Sequence, residues 1–162
     1  MTQLAKCDQV GLDLYTAEQR RRRDETPWTV VQGILAPLQF LIFLISIVLV
    51  INYLNNGSGF GAATASVIAK TLVLYAIMVT GAIWEKVVFG QWLFAPAFFW
   101  EDVVSFGVIA LHSLYLYGLI QGTIPADTLV LIILAAYASY VVNAGQFLWK
   151  LRAARLQMEA AS

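Results

Sequence analysis

The sequence predicts an all-α integral membrane protein, a four-transmembrane-helix bundle with both termini cytoplasmic. Of the 162 residues, 60% are hydrophobic and only 12% charged, with mean hydropathy +0.73. A soluble domain of this length has too much surface for its volume to hide that share of apolar side chains. Four apolar runs are each long enough to cross a hydrocarbon core that takes ~20 helical residues. Nine of the ten Lys and Arg residues fall on one side of the membrane so defined, Lys70 being the exception. That asymmetry marks the side as cytoplasmic. Net charge is zero, so no global field points to nucleic acid. The single cysteine, Cys7, excludes an intrachain disulfide and a Cys-cluster metal site.

Residues 1–27 read as a cytoplasmic basic tail without the apolar core of a cleavable leader. Thr16 is placed to cap a short helix that runs into Arg20-Arg21-Arg22-Arg23. The arginine run serves as an orientation signal and anionic-lipid anchor, and its guanidinium forks also match a substrate carboxylate. The first span covers residues 28–54, with a kink expected at Pro37. Gln32, Gln39 and Ser46 recur at sevens and therefore share a face, which should look into the bundle. Residues 55–61 form a short polar loop.

The second span covers residues 62–84. Its Lys70 is expected to snorkel to the far interface, because a central lysine costs ~2.5–3.5 kcal/mol on insertion scales. Thr71, Tyr75, Met78, Ala82 and Glu85 lie along one face. The third span covers residues 101–120, where Glu101, Ser105, Val108, His112 and Tyr115 form one stripe. The only histidine thus shares a face with an interfacial carboxylate. Residues 121–127 turn the chain into the fourth span, 128–149, which carries Ser139, Asn143, Gln146 and Lys150 on one face. Residues 28–149 form the transmembrane domain, and residues 150–162 a second cytoplasmic basic tail.

The chemistry gathers in residues 81–102, between the second and third spans. Glu85, Lys86, Glu101 and Asp102 lie there at the membrane boundary beside Trp84, Trp92 and Trp100. Indole rings suit an interfacial belt, and they equally suit the walls of a cleft. A helix N-terminus favours Glu101 and Asp102, whereas the C-terminal dipole disfavours Glu85, which needs a partner or a role. Partly buried carboxyl groups in apolar surroundings serve as general acids near neutral pH. Glu85 and Glu101 are expected to approach across the helix pair and share a proton. One histidine with carboxylates lacks the ligand count of a protein-built catalytic metal site. His112 is either a satisfied core histidine or an axial ligand to a metal that a substrate brings. There is no Gly-rich phosphate loop, no hydrolytic triad and no His-rich di-iron pattern. These residues describe an aromatic-walled, carboxylate-bearing cleft, open to the cytoplasm, for a flat, amphipathic, partly anionic ligand.

Three stretches add a resemblance. Tyr15-Thr16-Ala17-Glu18-Gln19-Arg20-Arg21-Arg22-Arg23-Asp24-Glu25-Thr26-Pro27-Trp28, residues 78–105, and Asn143-Ala144-Gly145-Gln146-Phe147-Leu148-Trp149-Lys150-Leu151-Arg152 resemble the 2-vinyl bacteriochlorophyllide hydratase family. In the other ring numbering this is the 3-vinyl bacteriochlorophyllide hydratase, or chlorophyllide a 3¹-hydratase, family. The likeness covers the chain from residue 14 to about 156.

The resemblance implies a hydro-lyase of the bacterial inner membrane. Such an enzyme adds water to the C-3 vinyl group of chlorophyllide a or bacteriochlorophyllide, giving the 1-hydroxyethyl derivative in bacteriochlorophyll a biosynthesis. Its partners would be the tetrapyrrole substrate, water, membrane lipid and other pigment-biosynthesis enzymes, with no cofactor. Protonating the terminal vinyl carbon leaves a cation that the macrocycle delocalises, and water attacks the inner carbon. Glu85 and Glu101, with Asp102 as substitute, are expected to divide the acid and water-activating roles. Trp84, Trp92, Phe99 and Trp100 would stack on the ring. Lys86 or the arginine tail would hold the propionate, His112 would ligate the ring magnesium, and Asn143 and Gln146 would complete the binding residues. A non-catalytic tetrapyrrole-binding or pigment-assembly protein, or an accessory subunit of a larger complex, would use the same features without the reaction.

Overall fold

The computed structural model describes residues 14–160, so Cys7 lies outside the described residues. The order is α1 (Ala17–Glu25), α2 (Pro27–Asn56), α3 (Phe60–Phe89), α4 (Phe99–Gln121) and α5 (Ala126–Ala160). The last four are long and apolar enough to span a membrane. Thr16 caps α1 through a full capping box with Gln19. On the exposed face of α1, hydrogen bonds from Arg21 and then Arg22 hold the Glu18 carboxyl down at about 2. Thr26 ends α1 and caps α2, with Pro27 at the first helical position, where its missing N–H costs nothing.

α2 runs through Pro37 as one helix of 30 residues. α5 continues past the predicted span as helix to Ala160. Lys150, Leu151, Arg152, Ala153, Ala154 and Arg155 are all good helix formers, and no Gly or Pro interrupts them.

α2 packs along α3 and α4 along α5, giving two hairpins with far sparser contact between them, while α1 lies against α3. One apolar core, around Phe43, Val67, Leu74, Val108, Ile133 and Tyr137, fills the middle of the bundle. A second, of Tyr15, Val88, Phe98 and Ala154, sits at the end carrying α1 and the start of the α5 extension. This is the basic end. The outward faces are apolar as well, with Ile120 78% and Leu131 67% exposed, a pattern that only a lipid solvent stabilises.

Polar groups turn inward, as the seven-residue spacing predicts. Gln39 and Ser46 are buried, and Gln32 Nε2 donates to Thr80 Oγ1 at 2.7 Å. Ser46 Oγ lies 2.7 Å from Ser66 Oγ and 2.5 Å from Tyr137 OH, which ties α2 to α3 and to α5. Lys70 departs from expectation. It does not snorkel, being 0% exposed, and its Nζ lies 3.7 Å from the centre of the Tyr140 ring. The face it shares with Val67, Thr71 and Leu74 is wholly buried, so no path along the helix surface leads its ammonium to water.

Candidate active site

Glu85 stands one turn before the end of α3, and Asp102 in the first turn of α4. The connection 90–98 doubles back so that both face it. Gly90 closes α3 at φ +84°, a conformation that glycine adopts freely. Phe94 takes φ +58° without that freedom, and strain of this kind persists only where surrounding contacts hold it. Here they do. Phe94 N–H donates to Asp102 Oδ2 at 2.6 Å, and the next N–H, that of Ala95, donates to Glu85 Oε2 at 3.1 Å. The two carboxyl groups are near enough to act directly on each other. They are 5% and 4% exposed.

Glu101 turns the other way. Adjacent helical residues point about 100° apart, so Asp102 meets α3 while Glu101 meets α5. Lys150 Nζ lies 3.0 Å from Glu101 Oε2, donates to Ala97 O, and stands 5.1 Å from the Phe98 ring centre. Asn143 Nδ2 donates to Glu101 O and Ser105 Oγ, both at 2.9 Å. Gln146, between Asn143 and Lys150 on α5, has a buried Oε1 with no partner. The expected approach of Glu85 and Glu101 is therefore replaced by two pairs, Glu85 with Asp102 and Glu101 with Lys150. They stay in one electrostatic neighbourhood, since Asp102 feels both Glu101 and Lys150.

The aromatic rings divide into two groups. Inside, Trp84, Phe89, Phe98 and Phe147 pack around Tyr15, whose ring stacks on Phe89 with centroids 5.7 Å apart and is covered by the Arg23 guanidinium at 4.9 Å. Burial pushes the Tyr15 phenol up to about 12. Trp84 Nε1 donates to Thr29 Oγ1, which donates to Arg23 O, so α3, α2 and α1 are pinned together. Outside, Phe94 stacks on Phe106 at 5.4 Å and meets Phe99, which meets Trp100. Trp92 is exposed, and Trp100 is 68% exposed. Lys86 is exposed too, its Nζ donating to Gly90 O at 2.7 Å.

His112 lies elsewhere. It is ten residues along α4 from Asp102, a rise of about 15 Å. Its Nδ1 donates to Val108 O at 2.8 Å, and its Nε2 is buried without a partner. Sequence reasoning gathered Glu85, Glu101 and Asp102 at one membrane boundary but expected Glu85 to meet Glu101, where the structure brings it to Asp102 and sets Asn143 on Glu101 O. It missed Tyr15, for which no periodic signal exists, and the role of Lys150, which the shared face with Asn143 and Gln146 did signal. Among the described residues no group of three or more His, Cys, Asp or Glu side chains is arranged to hold a metal ion.

Comparison with known proteins bears on this site. The family model for 2-vinyl bacteriochlorophyllide hydratase (BCHF) matches residues 15–153. A 2-vinyl bacteriochlorophyllide hydratase of Cereibacter sphaeroides is 71% identical over 148 residues, 91% of this chain and 92% of that one. A protein of the same name from Rhodobacter capsulatus is 69% identical over 144 residues, 89% of this chain and 84% of the other. No solved structure matches. With both the carboxyl pair and the basic α1 inside the matched region, this chain belongs to the 2-vinyl bacteriochlorophyllide hydratase family.

Proposed function

We infer that this protein is a hydro-lyase that adds water to the vinyl group of a bacteriochlorophyllide-type pigment, in bacteriochlorophyll synthesis. The family and the two relatives support the reaction, and the Glu85–Asp102 pair carries the assignment of the chemistry to residues. Two buried carboxyl groups that act on each other at close range are favoured with a proton shared between them. That proton goes to the terminal vinyl carbon, and the positive charge left on the inner carbon spreads into the macrocycle. The carboxylate so formed takes a proton from water as the water oxygen bonds to the inner carbon. The hydroxyethyl group then holds one added water, and the pair has its proton back. The N–H groups of Phe94 and Ala95, fixed on the two carboxyl oxygens, stabilise the negative charge during the step without having to reorganise.

Glu101 and Lys150 hold the connection in place, since Lys150 also bonds Ala97 O. Asn143 fixes the first turn of α4 through Glu101 O. The exposed rings of Trp92, Phe99 and Trp100 form the face on which a flat pigment in the membrane first stacks, and Trp84 closes the inner side. The basic end is cytoplasmic, on the weight of its Lys and Arg residues, and the membrane is the bacterial inner membrane.

Reaction in water labelled with heavy oxygen tests the function. Purified protein with vinyl chlorophyllide gives a product heavier by one labelled water. A pigment whose mass stays unchanged identifies a binder and ends the hydratase reading.

A further inference from the structure

The backbone N–H groups that meet Asp102 and Glu85 belong to Phe94 and Ala95, on a connection that is neither helix nor strand. Its geometry is set largely at its two ends, where three rings meet. Phe89 ends α3 and Phe98 stands just before α4. Tyr15, which precedes α1, stacks on Phe89 at 5.7 Å and lies 6.3 Å from Phe98, while Phe89 lies 5.8 Å from Phe98. The three rings close a triangle that fixes one end of the connection against the other. Trp84, one residue before Glu85, packs edge-on against both phenylalanines.

Tyr15 is the one ring of the triangle that comes from outside the α3–α4 hairpin. It is 7% exposed, and the Arg23 guanidinium covers it at 4.9 Å. Arg23 O accepts from Thr29 Oγ1, which accepts in turn from Trp84 Nε1. The α1 segment thus reaches α3 twice, at the ring triangle and beside Glu85. These contacts form a core apart from the one in the middle of the bundle. Phe94 gives them a consequence for the site. It holds φ +58°, and a residue other than glycine leaves that region once its surroundings loosen. With the ends freed, the connection relaxes and the two N–H groups turn away from the carboxyl oxygens.

We propose that Tyr15 is a positioning residue for the hydration, holding the 90–98 connection so that the Phe94 and Ala95 N–H groups stay on Asp102 and Glu85. This rests on the reading of that pair as the acid of a hydratase. The ring acts through Phe89 and Phe98 rather than on the pigment. A flat apolar face is what the triangle uses, so the hydroxyl is dispensable. Misplacing a site by about 1 Å costs rate about 10²-fold, and losing one preorganised donor costs about 10²–10³-fold.

The test follows hydration of vinyl chlorophyllide by the full-length protein in detergent, with kcat taken per pigment-binding molecule so that unfolded protein does not count. Tyr15→Ala lowers kcat about 10²-fold with KM kept, and Tyr15→Phe stays near wild type. Because Tyr15 acts through the acid pair, adding Tyr15→Ala to Glu85→Gln costs little beyond Glu85→Gln alone. Tyr15→Leu, apolar but without the flat ring, gives the same pattern should Tyr15→Ala not fold. A wild-type kcat in these variants overturns the proposal. So do losses that multiply in the double variant, or a Tyr15→Phe as slow as Tyr15→Ala. Undiminished hydration by Glu85→Gln would instead remove the acid-pair reading itself, and the role of Tyr15 with it.

Discussion

Glu85 and Asp102 meet across the α3–α4 junction, and each accepts one of two successive backbone N–H groups, those of Ala95 and Phe94. A loop thus reads the ends of two helices at once. Phe94 stands at positive φ, the bend in which its own N–H and the next one meet the two carboxyl groups. Phe94→Pro removes one of these donors and cannot adopt the bend. We expect it to lower hydration at least tenfold while the helical circular dichroism of the bundle stays unchanged.

The Glu101–Lys150 pair makes a separate prediction. Lys150→Met leaves Glu101, 3% exposed, without its cation and should cost about 3–5 kcal/mol of stability. Adding Glu101→Gln to that variant should restore much of the loss, since the uncompensated charge is then gone. Denaturant titration of both variants measures the difference. An unchanged single variant would mean that the pair is solvated.

Docking of α1 should depend on pH through Tyr15. The free phenol ionises near 10 and the docked one near 12, because burial disfavours the charged form. The contribution of Tyr15 to docking is therefore complete below pH 10 and is lost as pH rises through about 12. Limited proteolysis at the arginine run, followed against pH, should show cleavage rising in that window. In Tyr15→Phe that rise should be absent.

Much of this could be read from the chain, and the misses have physical causes. The stripe Glu101, Ser105, Val108, His112, Tyr115 is buried as its spacing predicts, because helical periodicity alone decides which face turns inward. The partner of Glu85 could not be read that way. Glu101 and Asp102 are adjacent, and which of them meets α3 depends on the rotation of α4, set by packing against α5. Lys70 was misplaced for a related reason. Snorkelling is the cheaper course for a lysine whose helix faces lipid, and only the tertiary arrangement turns that face toward Tyr137 and Tyr140. The single expected aromatic wall becomes two groups because the 90–98 connection folds between them, a feature of loop geometry that carries no periodic signal.

The central claim is that a proton held between Glu85 and Asp102 is the one delivered to the vinyl carbon. Single-turnover hydration of vinyl chlorophyllide by Glu85→Gln, Asp102→Asn and Glu101→Gln tests it most directly. The account predicts a fall of about 10²–10⁴-fold in the first two, with pigment affinity retained, and a much smaller fall in the third. Full rates in Glu85→Gln and Asp102→Asn would contradict it.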